Sequence, residues 1–313
     1  YARFYTTAMK KFAALDDVEM KPKGTILVIS PWNFPCAIPV GGIVAGLAGG
    51  NTVILKPATV AAPVAWMFAK AFWDAGVPKE ALQVIITRRE ALKVLTTAPA
   101  IKHIILTGGT DTAQNIAKAN PTTPLSAETG GKNVIILTAS GDRDHAIMNI
   151  VTSAFGNAGQ KCSACSLLLV ERSVYEDENF RSKLKDAATS LKTGSVWNAG
   201  NIVGPMITNK NDKLLQAFNL EPGESWLVPP RFIDRREYIL APTVKWGVKP
   251  ESFSFRTELF GPLLSVACIE NLEEGIRLVN GLDYGLTSGL QSLDEKEQKL
   301  WKNSVMAGNC LLY

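Results

Sequence analysis

Hydrophobic and polar positions along the chain follow two alternating patterns: short runs rich in Val, Ile and Leu, and longer stretches with apolar residues at helical spacing. Glycine and proline separate these segments, and these residues commonly mark the boundaries of strands and helices. In the first part of the chain the predicted strands are residues 25–29, 52–56, 82–86 and 103–107, and the predicted helices are residues 39–48, 61–75, 90–96 and 110–119. This alternation predicts βαβ units, and therefore a parallel sheet with helices on both faces.

The pattern changes near residues 128–131, where Glu-Thr-Gly-Gly interrupts it, and a second α/β series follows. Its predicted elements are a helix at 146–155, a strand at 167–171 and a helix at 176–190. Residues 194–250 are rich in Asn, Gly and Pro, which predicts loops with short strands. We therefore expect an α/β protein of two domains, residues 1–130 and residues 131–313.

Composition narrows the class of protein and of partner. The 313 residues are 46% hydrophobic and 20% charged with a net charge of +4, and no run of Lys and Arg predicts binding to nucleic acid or to an anionic membrane. Residues 24–55 carry no charge, but Pro31, Pro35 and Pro39 interrupt them, so we expect no membrane span. Without a visible secretory signal, the expected location is cytoplasmic.

The five cysteines form an odd and sparse set, which favours reduced thiols in a cytosol-like compartment. Cys162 and Cys165 have C-x-x-C spacing, but the chain has no second pair and only two histidines, so we predict no metal site. Cys165 is expected to be structural, with a regulatory disulfide to Cys162 as the alternative. Cys36, Cys268 and Cys310 are expected to be small buried hydrophobic residues.

Cys162 is the strongest candidate for chemistry. It lies in the string Phe-Gly-Asn-Ala-Gly-Gln-Lys-Cys-Ser-Ala-Cys-Ser at residues 155–166, among small and polar residues. Such a setting suits an accessible thiol, and a thiol is a few per cent ionised at neutral pH even without activation. A nucleophile also needs donors for its oxyanion and a base for its intermediate.

Four further strings accompany the cysteine string. They are Pro-Trp-Asn-Phe-Pro at 31–35, Leu-Lys-Pro-Ala-Thr at 55–59, Glu-Thr-Gly-Gly-Lys at 128–132 and Glu-Leu-Phe-Gly-Pro at 258–262. Asn33 and Lys56 are 23 positions apart, and Glu128 and Cys162 are 34 positions apart. In this order and spacing the five strings resemble the aldehyde dehydrogenase superfamily over essentially the whole chain. The resemblance implies a Rossmann-type cofactor domain and an α/β catalytic domain.

The chemistry of these residue types agrees with that resemblance. Attack of the Cys162 thiolate on an aldehyde gives a tetrahedral oxyanion, which needs fixed hydrogen-bond donors. The side-chain amide of Asn33 and the backbone N–H of Cys162 are the expected donors. Glu128, beside two glycines, is the expected base that activates the hydrolytic water. Taken singly, Asn33 is typical of a turn between prolines and Cys162 of an ordinary thiol.

The resemblance also implies the cofactor contacts. Lys56 would hold the adenosine ribose of NAD, Glu258 the nicotinamide ribose, and Phe260 would pack beside the nicotinamide. Trp32 and the turn with Gly108 and Gly109 would line the phosphates and the ring; Gly109 replaces a serine common in relatives. Thr59 stands where many NAD-specific members carry glutamate, so NADP use stays open. The alternatives are a solvated lysine for Lys56 and a strand end for Glu258.

Ser163, directly after the nucleophile, indicates the substrate. Together with the strings at 125–133, 220–227 and 284–294, it resembles the 1-pyrroline-5-carboxylate (L-glutamate γ-semialdehyde) dehydrogenases, which include the aldehyde dehydrogenase half of bifunctional proline-utilisation proteins. By that resemblance Ser163 would bond the substrate's α-carboxylate and Phe34 would pack on its carbon chain. Ser163 as a helix-start residue is the alternative.

Three alternative functions remain open from the sequence. They are a dehydrogenase of another small aldehyde or semialdehyde, a non-catalytic relative of the same fold, and a cysteine hydrolase that would pair Cys162 with His103 or His145. The chain begins without Met on an amphipathic helical pattern and ends just after an apolar run, so we expect a piece of a longer polypeptide. We expect the complete protein to be a homo-oligomer, with a proline dehydrogenase domain as a possible fusion partner.

Overall fold

The computed structural model describes residues 1–313 apart from the side chain of Arg89, and the chain forms two compact units, residues 1–129 and 130–313. The strands of the first unit are β1 (Thr25–Ser30), β2 (Thr52–Pro57), β3 (Leu82–Val84), β4 (Ile101–Thr107) and β5 (Leu125–Glu128). Its helices are α1 (Ala2–Ala13), α2 (Ala37–Ala48), α3 (Ala62–Asp74), α4 (Leu92–Thr96) and α5 (Thr110–Ala119).

The five strands of the first unit form one parallel sheet in the order β3-β2-β1-β4-β5. The order reverses at the boundary of β1 and β4, as in Rossmann-type sheets, where ligands bind beyond the carboxyl ends of the strands. The predicted alternation of strands and helices is therefore confirmed for this unit.

Glycines set how closely α2 approaches the sheet. A Cβ at Gly46 would lie 2.7 Å from Cγ2 of Val53 on β2, and one at Gly42 would lie 2.9 Å from Cγ1 of Val28 on β1. Only glycine permits this close packing of helix on strand. These contacts belong to one apolar core that includes Ile43 and Leu55. The core fixes α2 against β1 and β2, from whose ends the following loops begin.

The second unit contains nine strands and seven helices among its described residues. The strands are β6 (Asn133–Leu137), β7 (Cys165–Glu171), β8 (Ser225–Val228), β9 (Phe232–Asp234), β10 (Ile239–Leu240), β11 (Thr243–Trp246), β12 (Leu263–Ile269), β13 (Thr287–Gln291) and β14 (Asn309–Leu312). The helices are α6 (Arg143–Phe155), α7 (Arg172–Tyr175), α8 (Glu178–Ser190), α9 (Asp212–Gln216), α10 (Phe253–Arg256), α11 (Leu272–Asn280) and α12 (Glu295–Ser304).

Seven of these strands form a mixed sheet in the order β14-β13-β6-β7-β12-β11-β8. Its pairs are parallel except for β8, which runs antiparallel to β11. The central strands β6, β7 and β12 are apolar on both faces, as expected of parallel strands covered by helices. β14 lies at one edge with all four residues exposed.

The helix expected at 176–190 is confirmed with a slightly later start. It is α8 (Glu178–Ser190), and the short helix α7 (Arg172–Tyr175) lies before the predicted range. The side chain of Asp177 accepts a hydrogen bond from the N–H of Asn179 at 2.9 Å and caps α8. The cap therefore sets the start of α8 two residues later than expected.

The prediction that Cys36, Cys268 and Cys310 are buried is wrong. Cys36 and Cys310 are exposed and Cys268 is half-buried. Cys36 is the N-cap residue of α2, and Cys310 lies on the edge strand β14. Apolar neighbours in the sequence suggested burial, but a helix terminus and a sheet edge both leave a side chain at the surface. Cys165, in contrast, which was expected to be structural, is buried in the core.

No helix among the described residues is long and apolar enough to cross a membrane.

Candidate active site

Four strand ends of the first unit carry candidate residues at one edge of the sheet. Asn33 follows β1, Lys56 is the second-last residue of β2, Gly108 follows β4, and Glu128 is the last residue of β5. The registers Ile29↔Lys56, Ile29↔Leu106 and Thr107↔Glu128 place these ends level with one another. Since all four strands are parallel, the structure gathers these sequence-predicted residues at the carboxyl edge of one sheet.

The loop after β1 presents Asn33. Residues 31–36 form a bend that leads into α2, where the N–H of Ile38 donates to the carbonyl of Phe34 at 3.2 Å. Asn33 is half-buried and Phe34 is exposed. The N–H of Ala58, just after β2, donates to the carbonyl of Ser30 at 2.9 Å, which ties this loop to the neighbouring strand.

Lys56 is a buried lysine rather than a solvated one. It is 9% exposed, and burial lowers the pKa of its ammonium group. A lysine whose stem is packed at the end of a parallel strand holds its ammonium group in a narrow range of positions, which suits contact with a ligand hydroxyl. Thr59 lies three residues further on, exposed, at the start of a short turn.

Gly108 and Gly109 form an open backbone surface at the start of α5. Gly109 is the N-cap residue, and a Cβ there would meet nothing within 4 Å. The first N–H groups of a helix lack intrahelical partners and favour anions such as a pyrophosphate. The N–H of Gly108 donates to the carbonyl of Glu128 at 3.1 Å, so this turn and the end of β5 are joined.

Cys162 and Ser163 are the two central residues of a tight turn. The turn is closed by the N–H of Ala164, which donates to the carbonyl of Lys161 at 3.0 Å. Cys162 is half-buried and Ser163 is exposed. The turn lies directly before β7, so its C-terminal side is anchored in the centre of the sheet.

The approach to this turn is conformationally demanding. Asn157, Ala158 and Gly159 have consecutive φ values of 55°, 52° and 68°. Non-glycine residues in this region cost on the order of 1 kcal/mol or more, and such strain persists only where the surroundings enforce it. A Cβ at Gly159 would collide with the carbonyl oxygen of Gly261, so the cysteine loop packs backbone to backbone against the Glu-Leu-Phe-Gly-Pro string.

Gln160 ties the loop that precedes Cys162 to residues 205–207. Its side chain is buried; the amide oxygen accepts from the N–H of Ile207 at 2.8 Å, and the amide nitrogen donates to the carbonyls of Pro205 and Asn157 at 3.3 and 3.2 Å. From the sequence, Gln160 was only a polar neighbour of the cysteine. Its two long-range bonds, to residues more than forty positions away, could not be found from sequence spacing.

Glu258 lies against the Gly130–Gly131 segment of the same unit. Its Oε1 accepts a hydrogen bond from the N–H of Gly131 at 3.0 Å, and its carboxylate occupies the space that a Cβ at Gly130 would need. Burial raises the pKa of this carboxyl, and the Gly131 N–H opposes that rise. Phe260, two residues on, has a φ of 50°.

Lys132 and Cys165 are buried behind the cysteine turn. The Nζ of Lys132 donates to the carbonyl of Ser166 at 3.2 Å, and burial lowers the pKa of this ammonium group to about 7. Burial raises the pKa of the Cys165 thiol to about 12. Cys165 is therefore an inert core thiol, whereas Cys162 lies at the surface of the loop.

Within the second unit the structure brings the cysteine turn and the Glu258 string together. Gly131 contacts both, since a Cβ there would lie 3.0 Å from the carbonyl oxygen of Cys162. Sequence reasoning found Cys162, Ser163, Glu258 and Phe260 here but missed the buried support residues Gln160 and Lys132. Among the described residues, no group of three His, Cys, Asp or Glu side chains could hold a metal ion.

Comparison with known proteins identifies the family. The model described as "Aldehyde dehydrogenase family" matches residues 4–312, so the chain belongs to the aldehyde dehydrogenase family. Among curated relatives, the chain is 32% identical over 299 residues to a 1-pyrroline-5-carboxylate dehydrogenase of Geobacillus kaustophilus, covering 92% of this chain and 58% of the relative. It is 31% identical over 296 residues to a 2,5-dioxopentanoate dehydrogenase of Saccharolobus solfataricus, covering 92% and 61%.

Two solved structures share the fold closely. Proline Utilization A from Corynebacterium freiburgense superposes with a TM-score of 0.93 at 36% identity, covering 99% of this chain and 32% of that one. A 1-pyrroline-5-carboxylate dehydrogenase from Thermus with bound NAD superposes with a TM-score of 0.90 at 29% identity, covering 98% and 64%. The chain thus spans about three fifths of the length of the curated relatives that it matches.

Proposed function

We propose that this chain is the core of an NAD(P)-dependent dehydrogenase that oxidises L-glutamate γ-semialdehyde to glutamate. The observation that carries the proposal is the tight turn that presents Cys162, reached through three left-handed residues and packed against the Glu258 string. Membership of the aldehyde dehydrogenase family supports the class of reaction.

Cys162 is the proposed nucleophile. Its thiolate attacks the aldehyde carbon, the C–S bond forms, and the carbonyl oxygen becomes an oxyanion. The side-chain amide of Asn33 and the backbone N–H of Cys162 are the donors proposed to stabilise that oxyanion. Removal of one such donor typically costs about 10²–10³ in rate, so both contribute directly to the chemical step.

The residues of the first unit fit a dinucleotide. Gly108 and Gly109 leave an open surface at the N-terminus of α5, and Lys56 holds an ammonium group at the end of β2. We assign the pyrophosphate to the glycines and the adenosine ribose to Lys56, with Trp32 and Thr59 beside them. Glu258 and Phe260 are assigned to the nicotinamide ribose and ring. A nicotinamide held there would supply the hydride acceptor, and loss of hydride from the adduct would leave the acyl group on Cys162 as a thioester.

Glu128 is the proposed general base. It is exposed at the end of β5, where its carboxylate is accessible to water. It takes a proton from the water that attacks the thioester, which releases glutamate and restores the Cys162 thiol.

The choice of semialdehyde rests on the relatives and on Ser163. Several curated relatives are 1-pyrroline-5-carboxylate dehydrogenases at 30–32% identity. Ser163 is exposed beside the nucleophile, where its hydroxyl can donate to a carboxylate of the substrate, and Phe34 offers an exposed ring for the carbon chain. The relative that is a 2,5-dioxopentanoate dehydrogenase favours one further candidate, another carboxylate-bearing aldehyde.

A further proposal concerns the whole protein. The match covers only 32% of the Proline Utilization A chain, which leaves room there for other domains. We propose that the complete polypeptide is a homo-oligomer, and a fusion to a proline dehydrogenase domain is part of this proposal. Its cytoplasmic location stays a prediction from sequence.

The test is a spectrophotometric assay of NAD and NADP reduction by the full-length protein with L-glutamate γ-semialdehyde, beside Cys162→Ser. We expect activity in the parent and at least about 10³-fold less in the variant. A clear preference for an aldehyde that lacks a carboxylate would overturn the substrate. Dinucleotide binding without reduction would favour another aldehyde as substrate, and no dinucleotide binding at all would favour a non-catalytic relative. Activity that needs no dinucleotide would favour a hydrolase.

A further inference from the structure

Asn133 makes three hydrogen bonds around the nucleophile turn. It is the first residue of β6 and is 3% exposed. Its amide nitrogen donates to the carbonyl of Cys162 at 2.5 Å and to the carbonyl of Ala164 at 3.0 Å. Its amide oxygen accepts from the N–H of Thr287 at 3.1 Å. Both amide hydrogens are therefore used on the turn itself, one on each side of Ser163.

Two N–H groups on the C-terminal side of the turn are also bound. The N–H of Ala164 donates to the carbonyl of Lys161 at 3.0 Å, and the N–H of Cys165 donates to Oγ of Ser153 at 3.1 Å. A rotation of the Cys162–Ser163 peptide would break the bond from Asn133 and leave one amide hydrogen of that buried side chain without this partner. An unsatisfied buried group costs about 1–3 kcal/mol, so the peptide is held in one orientation.

Close packing reinforces this arrangement. A Cβ at Gly131 would lie 2.6 Å from Oδ1 of Asn133 and 3.0 Å from the carbonyl oxygen of Cys162. The Asn133 amide is thus enclosed between the Gly131 backbone and the turn. Thr287, its third partner, begins β13, which pairs with β6 in the sheet.

We propose that Asn133 is a positioning residue for the reaction, acting through the backbone of Cys162. The inference rests on the proposed function, in which Cys162 supplies both the attacking sulfur and one oxyanion donor. Asn133 holds the peptide that follows Cys162, and the N–H of Ala164 holds the peptide that precedes it through the carbonyl of Lys161. The sulfur and the N–H of Cys162 are therefore fixed between two bound peptides, and loss of the Asn133 bond frees one of them. A displacement of about 1 Å at such a centre can cost about 10²-fold in rate.

The first test is the kinetics of Asn133→Ala in the full-length protein. We expect kcat to fall by about 10- to 100-fold while KM for the dinucleotide stays within about two-fold. A merely structural role would lower the thermal midpoint and leave kcat unchanged well below it. Asn133→Ser keeps one hydroxyl donor and is expected to recover part of the lost kcat.

The matched control is Asn280→Ala. Asn280 lies in the same unit, donates to the carbonyl of Ser304 at 2.9 Å and accepts from the N–H of Met306 at 2.7 Å, so it too is an asparagine that bonds the backbone. We expect this variant to lose stability without a change in kcat.

A second measurement needs neither aldehyde nor dinucleotide. The rate at which iodoacetamide alkylates Cys162, resolved by mass spectrometry, is expected to change by at least about three-fold in Asn133→Ala and to stay unchanged in Asn280→Ala. If the parent reduced no dinucleotide with any aldehyde, the proposed function would fail and this comparison would still decide the positioning role.

The proposal is overturned if folded Asn133→Ala retains kcat and the alkylation rate within about two-fold of the parent. Should Asn133→Ala fail to fold at the assay temperature, Asn133→Ser is measured by the same two criteria. Asn133→Gln, which displaces the amide by one methylene, is then measured beside it. Parent-like values in both variants would overturn the proposal, and a loss in either would support it.

Discussion

The carboxylate of Glu258 accepts a hydrogen bond from the backbone N–H of Gly131, with 3.0 Å between Oε1 and N. The two residues are 127 positions apart in the chain, and the contact joins the end of the Glu-Thr-Gly-Gly-Lys string to the Glu-Leu-Phe-Gly-Pro string. Gly130 makes the contact possible because the carboxylate lies where a side chain would start. From the sequence only the order of these two strings along the chain was known, whereas the structure shows that they are in direct contact.

Gly130→Ala is expected to displace the Glu258 carboxylate, because the new Cβ would occupy its place. Hydrogen bonds to charged groups contribute about 1.5–3 kcal/mol, so KM for the dinucleotide should rise about ten-fold or more if Glu258 holds the ribose. The control is Gly204→Ala, whose Cβ would make only an ordinary contact of 3.5 Å with Val196. An unchanged KM in folded Gly130→Ala would remove Glu258 from the cofactor assignment.

Thr59→Glu is expected to shift cofactor use toward NAD. Thr59 is exposed just beyond β2, and a carboxylate there would accept from ribose hydroxyls and repel a 2′-phosphate. We expect the ratio of kcat/KM for NAD over NADP to rise about ten-fold or more, which corresponds to about 1.4 kcal/mol. Thr59→Gln, similar in size but neutral, is the control, and an equal shift in both variants would argue against a charge effect.

Cys165 is expected to resist alkylation in the native protein. Burial raises the pKa of its thiol to about 12, so at pH 8 only about one molecule in 10⁴ carries the thiolate, and the side chain is shielded as well. Site-resolved mass spectrometry after iodoacetamide treatment should find Cys36 and Cys310 modified and Cys165 modified only after unfolding. Native labelling of Cys165 at the rate of Cys36 would contradict its burial.

Lys132 is expected to make stability rise with pH. Burial lowers its pKa to about 7 in the folded chain, whereas the unfolded chain has the ordinary value of about 10.4. Between these values the unfolded chain binds more protons, so the free energy of unfolding increases with pH by up to about 1.4 kcal/mol per unit. Urea unfolding from pH 6.5 to 9.5 should show this slope in the parent relative to Lys132→Met; parallel curves would rule it out.

Lys245 and Glu224 form a buried ion pair at 2.9 Å, and both side chains are essentially inaccessible to solvent. The ammonium group also donates to the carbonyl of Asn219 at 2.8 Å. Lys245→Met should lower the free energy of unfolding by about 3–5 kcal/mol because the Glu224 charge is left buried alone. The double variant Lys245→Met/Glu224→Gln should recover part of that loss in chemical unfolding; no recovery would mean that packing, not charge, dominates.

Local sequence was sufficient for much of the fold. The runs that end at Ile29 and Lys56 are strands, and the helix expected at 39–48 is found as Ala37–Ala48. These predictions succeeded because apolar periodicity and glycine or proline boundaries are local properties of the chain. The helix expected at 176–190 begins at Glu178 because Asp177 caps it, which is also a local property of the chain.

Burial of single residues was harder to predict. Cys36 and Cys165 both have apolar or small neighbours, yet one lies exposed at a helix terminus and the other inside a central strand. For Lys56 the sequence indicated a contact with a ligand but did not show that the side chain is buried. Its burial at the end of β2 follows from the packing of the sheet. The exposure of a side chain depends on which helices, strands and loops pack over it, and local sequence does not specify that packing.

By itself the sequence determined the alternation of strands and helices, the family-like strings and the identity of the proposed nucleophile, because these depend on residue type and order. Only the tertiary structure decided which distant groups support Cys162: Asn133 holds its carbonyl, and Gln160 ties its loop to residues 205–207. The physical reason is that a buried carbonyl or amide must find a hydrogen-bond partner, and the partner that satisfies it is chosen by the packing of the whole unit.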